Sequence, residues 1–577
     1  MNRISLLSKR SLIQSAGGVE LEHPGVVQCR APITQPRQRL IMTRLTLRSI
    51  RMQGRASLWL WLSSLWITVA ANGPFFNALS IIYGEGLAAT LSLLPIGVLL
   101  FVLISIEITL FALLVPMSVA SFVFLSVSAL IQYYQTQYGT VFDATMIRNI
   151  VETDANEAGD LITWGLISHW LIWAFLPWGL IRWATASAEQ RYDWRARILG
   201  GALPLLLLIL TVLPLSQHFA TFFRVHRDAH PLTNPVYPVY SFLKFLKKSS
   251  GSAEPSFHEV SSFASTPLVS HGADLVVLVV GETARADHFS LNGYHQVTNP
   301  RLSARLNLVS YQEMIACGTS TAVSLPCMFS YLTQEDFEVE TASYQENVLD
   351  TLRKAGVEIL WRDNNSGSKH VADRVPYEGR SEWSAEGEDC DLECRDIGML
   401  RGLETILGES PVDRLIVLHQ MGSHGPAYFK RYPKEFEQFT PACRDPDLSN
   451  CTDEEIINAY DNTILYTDHF LDQVVELLER FQDKYEVTMM YVGDHGESLG
   501  ESGLYLHGMP YAFAPETQTR VPFLVWGAGQ TDLDVDGSRL LADKPHSHDE
   551  LPNALLSLFE VESDAYIDVP PLIAVKP

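Results

Sequence analysis

Basic residues are scarce in this chain: 42 Lys and Arg face 66 Asp and Glu, a formal net charge of −24 over 577 residues. That excess repels a phosphate backbone and argues against nucleic acid as a partner. The first 55 residues have no early apolar core, and the first long apolar segment has no clear small-residue cleavage site. An uncleaved anchor is therefore expected in place of a signal peptide. No internal repeat is present. The long apolar segments are nearly free of polar residues, which disfavours a channel or transporter.

What is abundant is apolar sequence, at 47% of residues, too much for a wholly soluble acidic protein. Segments long enough to cross roughly 30 Å of hydrocarbon lie at about Leu58–Leu79, Ala88–Leu110, Leu113–Leu130, Ile162–Ile181 and Ile198–Leu215. Five crossings are expected, with a tight turn between Glu107 and Pro116 that puts Glu107 at the headgroup level. Arg37, Arg39, Arg44, Arg48, Arg51 and Arg55 precede the first crossing, and Arg182, Arg191, Arg195 and Arg197 follow the fourth. Both clusters belong on the cytoplasmic side, so the chain after about residue 216 lies across the membrane. Residues 1–55 read as a basic cytoplasmic leader. Its first 41 residues fit either a disordered tail or a start placed ahead of Met42.

Cysteine position agrees with that topology. Cys29 stands alone on the cytoplasmic side, while the other six follow the last crossing as near neighbours: Cys317 with Cys327, Cys390 with Cys394, Cys443 with Cys451. The pattern suits an oxidising compartment. Six cysteines allow 15 connectivities, and short loop closure favours the neighbour pairing. The close spacing in CDLEC strains a simple loop, but no second thiol pair matches it for a zinc site, so a disulfide is favoured there too.

The remaining chain divides into a membrane region over 56–216, an interfacial helix and linker over 217–270, and an extramembrane domain over 271–577. Ser241–Ser250, SFLKFLKKSS, reads as an amphipathic helix on anionic lipid or as a plain linker helix. In the last domain, strand-like runs near Leu275, Val357, Leu415, Val487 and Val521 alternate with helical ones such as Glu454–Phe481 and Glu550–Phe559. This is the pattern of an α/β fold with a mostly parallel sheet.

Three of those runs stop on polar residues of one kind. The Val487 run ends on Asp494, His495 and Glu497; the Leu275 run on Gly281, Glu282 and Thr283; the Leu415 run on His419 and His424. Strand ends of one parallel sheet share a rim, which is where such sheets place their chemistry. Carboxylates and imidazoles gathered there form a zinc-type ligand set. A nucleophile is offered by CGTSTAVSLPC, Cys317–Cys327, in which spacing alone leaves Thr319, Ser320, Thr321 and Ser324 open.

Taken together, GET at 281–283, CGTSTAVSLPCMFS at 317–330, HQMGSHGPAYFKRYP at 419–433 and GDHGESLGESGLYLHGMP at 493–510, with five crossings, resemble the bacterial phosphoethanolamine transferases that modify lipid A. That family includes the mobile colistin resistance enzymes and has an alkaline-phosphatase-like, sulfatase-type catalytic domain. The resemblance runs from about residue 55 to the end of the chain. It implies Thr321 as nucleophile and Glu282, Thr321, Asp494 and His495 as ligands of a catalytic Zn2+, with a second ion during turnover left open. It implies that His424 and His507 contact the phosphoryl group or a second metal, and that Ser366 and Lys369 contact bound phosphoethanolamine. Asn149, Thr153 and Glu157, in NIVETDANE, match the family's substrate-binding polar residues, and their spacing predicts one helical face.

The implied reaction moves phosphoethanolamine from phosphatidylethanolamine to a lipid A phosphate through a covalent threonine intermediate. The implied setting is a monomer in the bacterial inner membrane, in contact with membrane lipids, with its catalytic domain in the periplasm. Transfer to inner-core lipopolysaccharide sugars is the alternative acceptor reading. A lipoteichoic-acid synthase or a membrane sulfatase would share much of the architecture, but the cysteine pairs and the Asn149 segment favour the transferase.

Overall fold

The computed structural model describes residues 58–576 except 85, 154, 186–193, 227–228, 250–255, 267–271, 385–389, 391–392 and 410. The leader expected over 1–55 lies outside the described residues.

The first apolar segment is not one straight span. It forms α1, Leu58–Ala70, and α2, Gly73–Tyr83, bent 55° apart. Pro74 in the first turn of α2 allows the break, and Asn72 fixes it, donating to the carbonyls of Ile67 at 2.9 Å and Asn234 at 2.7 Å. Asn234 replies by donating its amide N–H to Asn72 and its side chain to Ala71 and Ser128. Next come α3, Leu87–Phe111, and α4, Met117–Gln137, joined by the turn expected near Pro116. Glu107 lies inside α3, one turn from its end. A short helix α5, Ala144–Glu152, precedes α6, Trp164–Thr185, which passes through a π-helical segment at Leu171–Phe175. Among the described residues three helices are long and apolar enough to cross a membrane, and the bent pair makes a fourth. The fifth expected segment falls on α7, Trp194–Val212, much of whose first half has side chains outside the description. Helix α8, Val236–Ser249, occupies the expected interfacial stretch, with Tyr240, Phe242, Leu243 and Leu246 exposed beside its lysines.

The rest of the chain is built on an eight-stranded sheet: β1 Asp274–Gly281, β2 Leu308–Ile315, β3 Glu358–Asp363, β4 Tyr377–Glu378, β5 Arg414–His419, β6 Glu486–Gly493, β7 Arg520–Ala528 and β8 His546–Ser547. Their spatial order is β8-β2-β7-β6-β1-β5-β3-β4. The sheet is mixed: β7 runs against both neighbours, and every other pairing is parallel. Strands buried on both faces read as unbroken apolar runs. In β1, Val276, Leu278 and Val280 enter the core on one face of the sheet, and Leu275, Val277 and Val279 the core on the other. At full burial, each such side chain contributes about 1.5–3 kcal/mol. Two helices bear on the site, α9 at Thr321–Met328 and α10 at Asp453–Glu479. A capping box between Thr452 and Glu455 starts α10.

Candidate active site

Strand register assembles the site. Gly281 pairs with Gly493 across β1 and β6, so the residues that follow, Glu282 and Asp494, leave the sheet side by side. The loop after β5 passes close enough that Gly422, at φ +52°, could not carry a side chain: its Cβ would lie 2.8 Å from the Glu282 carbonyl oxygen. On the other side, Thr321 is the first residue of α9, whose N-terminal turn lies within the loop closed by the Cys317–Cys327 disulfide. The other two disulfides join Cys390 to Cys394 and Cys443 to Cys451.

These elements bring together Glu282, Thr321, Asp494 and His495, residues as many as 213 positions apart in sequence (495 − 282). The Thr321 hydroxyl donates to Glu282 Oε2 at 2.9 Å and lies 3.3 Å from His495 Nε2. The same nitrogen is 3.4 Å from both Glu282 Oε1 and Asp494 Oδ2. His495 Nδ1 lies 3.0 Å from the Gly496 carbonyl. A carbonyl can only accept, so Nδ1 carries a proton and Nε2 is aimed at the two carboxylates.

All three side chains are fully buried. Apart from that imidazole, Glu282 Oε1 and Asp494 Oδ2 have no hydrogen-bond partner among the described residues. Two carboxylate oxygens without other donors, with a ring nitrogen aimed between them, are the donor set that a divalent cation satisfies, so the residues present fit a zinc ion. Their ligand atoms lie within 4.8 Å of one another. The electrostatics agree. Burial raises the Asp494 carboxyl to about 7, reinforced by the charge of Glu282. Burial also opposes ionisation of Glu282 and His495, but their attraction outweighs it, holding Glu282 well below the usual carboxylate range and His495 up at about 10, with an Nε2 proton standing where a divalent ion would replace it.

Around this cluster stand the other expected residues. His424 and His507 face each other with ring centroids 5.5 Å apart, and His507 is 4.4 Å from His495. Asn365 ties the DNNSGSK loop to the centre: its amide donates to Glu282 Oε2 at 2.7 Å, and its own oxygen accepts from the Ser366 N–H and hydroxyl. Lys369 Nζ donates to the Ser366 carbonyl and sits 3.8 Å from Glu152 of α5. Asn149 reaches the LHGMP loop, with Nδ2 3.5 Å from the Cβ position of Gly508 and a buried Oδ1 without a described partner.

The single helical face expected for Asn149, Thr153 and Glu157 does not form. Thr153 takes extended φ/ψ as the C-cap of α5, and its hydroxyl bonds back to Asn149 O at 2.6 Å. Glu157 falls on a separate short helix, Ala155–Asp160, and its side chain lies outside the description. His419 stands lower on β5, opposite Val280, with Nδ1 held by Asp363 at 2.9 Å.

Sequence reading named Glu497 only among the metal-type residues after β6 and did not see its supporting role, and it missed other supports. Glu497 accepts from Tyr428 at 2.7 Å and holds His507 Nδ1 at 2.8 Å, orienting that ring. His548, kept neutral by burial that lowers it to about 3, accepts from the Cys317 N–H at 3.2 Å and bonds the Gly493 carbonyl at 2.9 Å. With the bond from Ser324 to the Asp494 carbonyl, it ties the Cys317–Cys327 loop to the end of β6. Asn365 lies in a loop already singled out, but nothing in the sequence marked His548.

Residues 274–561 match the sulfatase family, and residues 98–250 match the family described as phosphoethanolamine transferase EptA/EptB. The chain is 40% identical over 521 residues to the phosphatidylethanolamine transferase Mcr-1 of Escherichia coli, covering 88% of this chain and 95% of that one. It is 36% identical over 533 residues to the phosphoethanolamine transferase EptA of Escherichia coli K12, at 88% and 94% coverage. Among solved structures, the integral membrane lipooligosaccharide phosphoethanolamine transferase A of Neisseria meningitidis superposes with a TM-score of 0.81 at 32% identity, covering 88% of this chain and 96% of that one.

Proposed function

Because this chain belongs to the EptA/EptB phosphoethanolamine transferase family and carries its sulfatase domain, we propose that it transfers phosphoethanolamine from phosphatidylethanolamine to a phosphate of lipid A, with Thr321 as the covalent carrier. The observation that carries this reading is the Thr321 hydroxyl, at the start of α9, within hydrogen-bond reach of both Glu282 and His495. A zinc ion held by Glu282, Thr321, Asp494 and His495 would lower the pKa of that hydroxyl and neutralise phosphate charge.

The chain's own groups supply the rest. Thr321 gives up its hydroxyl proton to Glu282, to which it already donates, as Oγ1 attacks phosphorus; the bond to the glycerol oxygen breaks, and diacylglycerol leaves with a proton from His424 or His507. An oxygen of the lipid A phosphate then displaces Thr321. Ser366, Lys369 and Asn149 line the approach and bind the phosphoethanolamine group, so positioning and charge stabilisation account for most of the rate. The burial of the carboxylates excludes bulk water, which protects the intermediate from hydrolysis.

Both substrates are lipids. Five crossings, counting α7 and treating α1 with α2 as one span, would anchor the catalytic domain on the periplasmic side of the inner membrane, with α8 resting on the lipid surface. The test is mass spectrometry of lipid A from cells expressing the protein. Added phosphoethanolamine is expected, absent from a Thr321→Ala strain. Its absence in cells where the wild-type protein is inserted intact would overturn the reading.

A further inference from the structure

Between α4 and α6 the chain leaves the membrane helices and lies against the catalytic domain: Tyr505 N–H donates to the Tyr138 carbonyl at 3.1 Å, and Glu152 meets Lys369. Near the end of this excursion stands Asp160, only 7% exposed. Its carboxylate is bonded by Lys430 and lies 3.7 Å from the guanidinium of Arg431. The Arg431 side chain is 2% exposed and uses its fork in three directions. One arm binds Glu393 in the Cys390–Cys394 loop, another faces Asp160, and Nε donates to the carbonyl of His424 at 2.6 Å. A guanidinium this deeply buried needs its carboxylates, because loss of one partner leaves a desolvated charge uncompensated.

We propose that Asp160 is a positioning residue for His424. Through Arg431 it fixes the loop from which the His424 imidazole meets the oxygen of the departing diacylglycerol. This rests on the transferase reading above and assigns the leaving-group proton to His424. In that step the Thr321–phosphorus bond forms, the phosphorus–glycerol oxygen bond breaks with its electron pair on oxygen, and that oxygen takes the proton. His507 is oriented separately by Glu497, so the Asp160 effect falls on His424. The membrane half thereby contributes one charge to a buried network that the catalytic half does not complete alone.

The experiment compares two donors with the full-length protein in liposomes that contain lipid A as acceptor: phosphatidylethanolamine, whose alkoxide needs a proton to leave, and the 4-nitrophenyl ester of phosphoethanolamine, whose phenolate does not. Asp160→Asn is expected to slow cleavage of phosphatidylethanolamine about 10-fold or more in kcat, while cleavage of the aryl ester falls less than about 2-fold. Asp160→Glu should recover most of the lost rate. Equal losses on both esters, as a damaged fold would give, overturn the proposal, and so does an unchanged rate on both. His424→Ala should also lose phosphatidylethanolamine cleavage more than aryl ester cleavage; equal losses there remove His424 as proton donor and this inference with it. Wild-type protein that cleaves neither ester refutes the transferase reading itself, an outcome distinct from any failure of Asp160.

Discussion

Strands β1 and β6 lie side by side, and each of their two ends carries buried carboxylates. At the carboxyl ends, Glu282 and Asp494 meet an imidazole and the Thr321 hydroxyl. At the amino ends, Asp274, Glu486 and Asp532 bring their oxygens within 4.8 Å of one another, with no imidazole among them. The first cluster shares charge: His495 is pushed up to about 10, and Glu282 stays ionised. The second takes up a proton. Burial, with Asp532, Asp413 and Glu486 adding to it, pushes Asp274 up to about 9, so it is neutral at pH 7. Burial and like charge raise a carboxyl in both clusters, Asp494 to about 7 and Asp274 to about 9, so crowded acids alone do not distinguish the two ends. The imidazole and the nearby hydroxyl set the first cluster apart from a neutralised group of acids.

The largest expected effect is at the reactive end. Thr321→Ala should lower transfer at least about 10³-fold by lipid mass spectrometry with thermal stability nearly unchanged; transfer at the wild-type rate would remove Thr321 as nucleophile. Glu282→Ala should weaken zinc binding more than about 100-fold, read by elemental analysis after dialysis, whereas Asp274→Asn should leave the zinc content as it was. Zinc loss in the Asp274 variant would erase the distinction between the two ends. Replacing Glu497 with Gln frees the His507 ring and should cost about 10-fold in kcat while zinc is retained.

The last effect concerns stability. Folded Asp274 holds its proton up to about pH 9, while the unfolded chain releases it near 3.8. Its contribution is therefore fully present at low pH and falls as pH rises between those values, by at most about 1.4 kcal/mol per unit. Between pH 6 and 9 the melting temperature of the wild type should drop more steeply than that of Asp274→Asn. Parallel curves would mean that Asp274 is ionised in the folded protein.

The strand ends were legible because strands covered on both faces have no polar residue to spare until they leave the sheet, so Glu282 and Asp494 stand out. Strand β2 was missed for the opposite reason: LVSYQEMI alternates, half of it facing less buried surroundings, and has no apolar run. The bend after Ala70 was announced by Asn72-Gly73-Pro74, a breaker that span counting passed over. In NIVETDANE no Gly or Pro marks the stop at Thr153, and the helical face predicted there failed without a local warning. Asn365, His548 and Arg431 act through partners dozens to hundreds of residues away, which spacing along a chain does not reveal.

The reciprocal amides of Asn72 and Asn234 carry a consequence for biogenesis. The anchor's first bend is locked by a residue 162 positions downstream. The ribosome must make all of α3, α4, α6 and α7 before that latch exists. Folding thus begins with a loosely hinged first pair of helices, and their bend is fixed only when the stretch around Asn234 closes back on it.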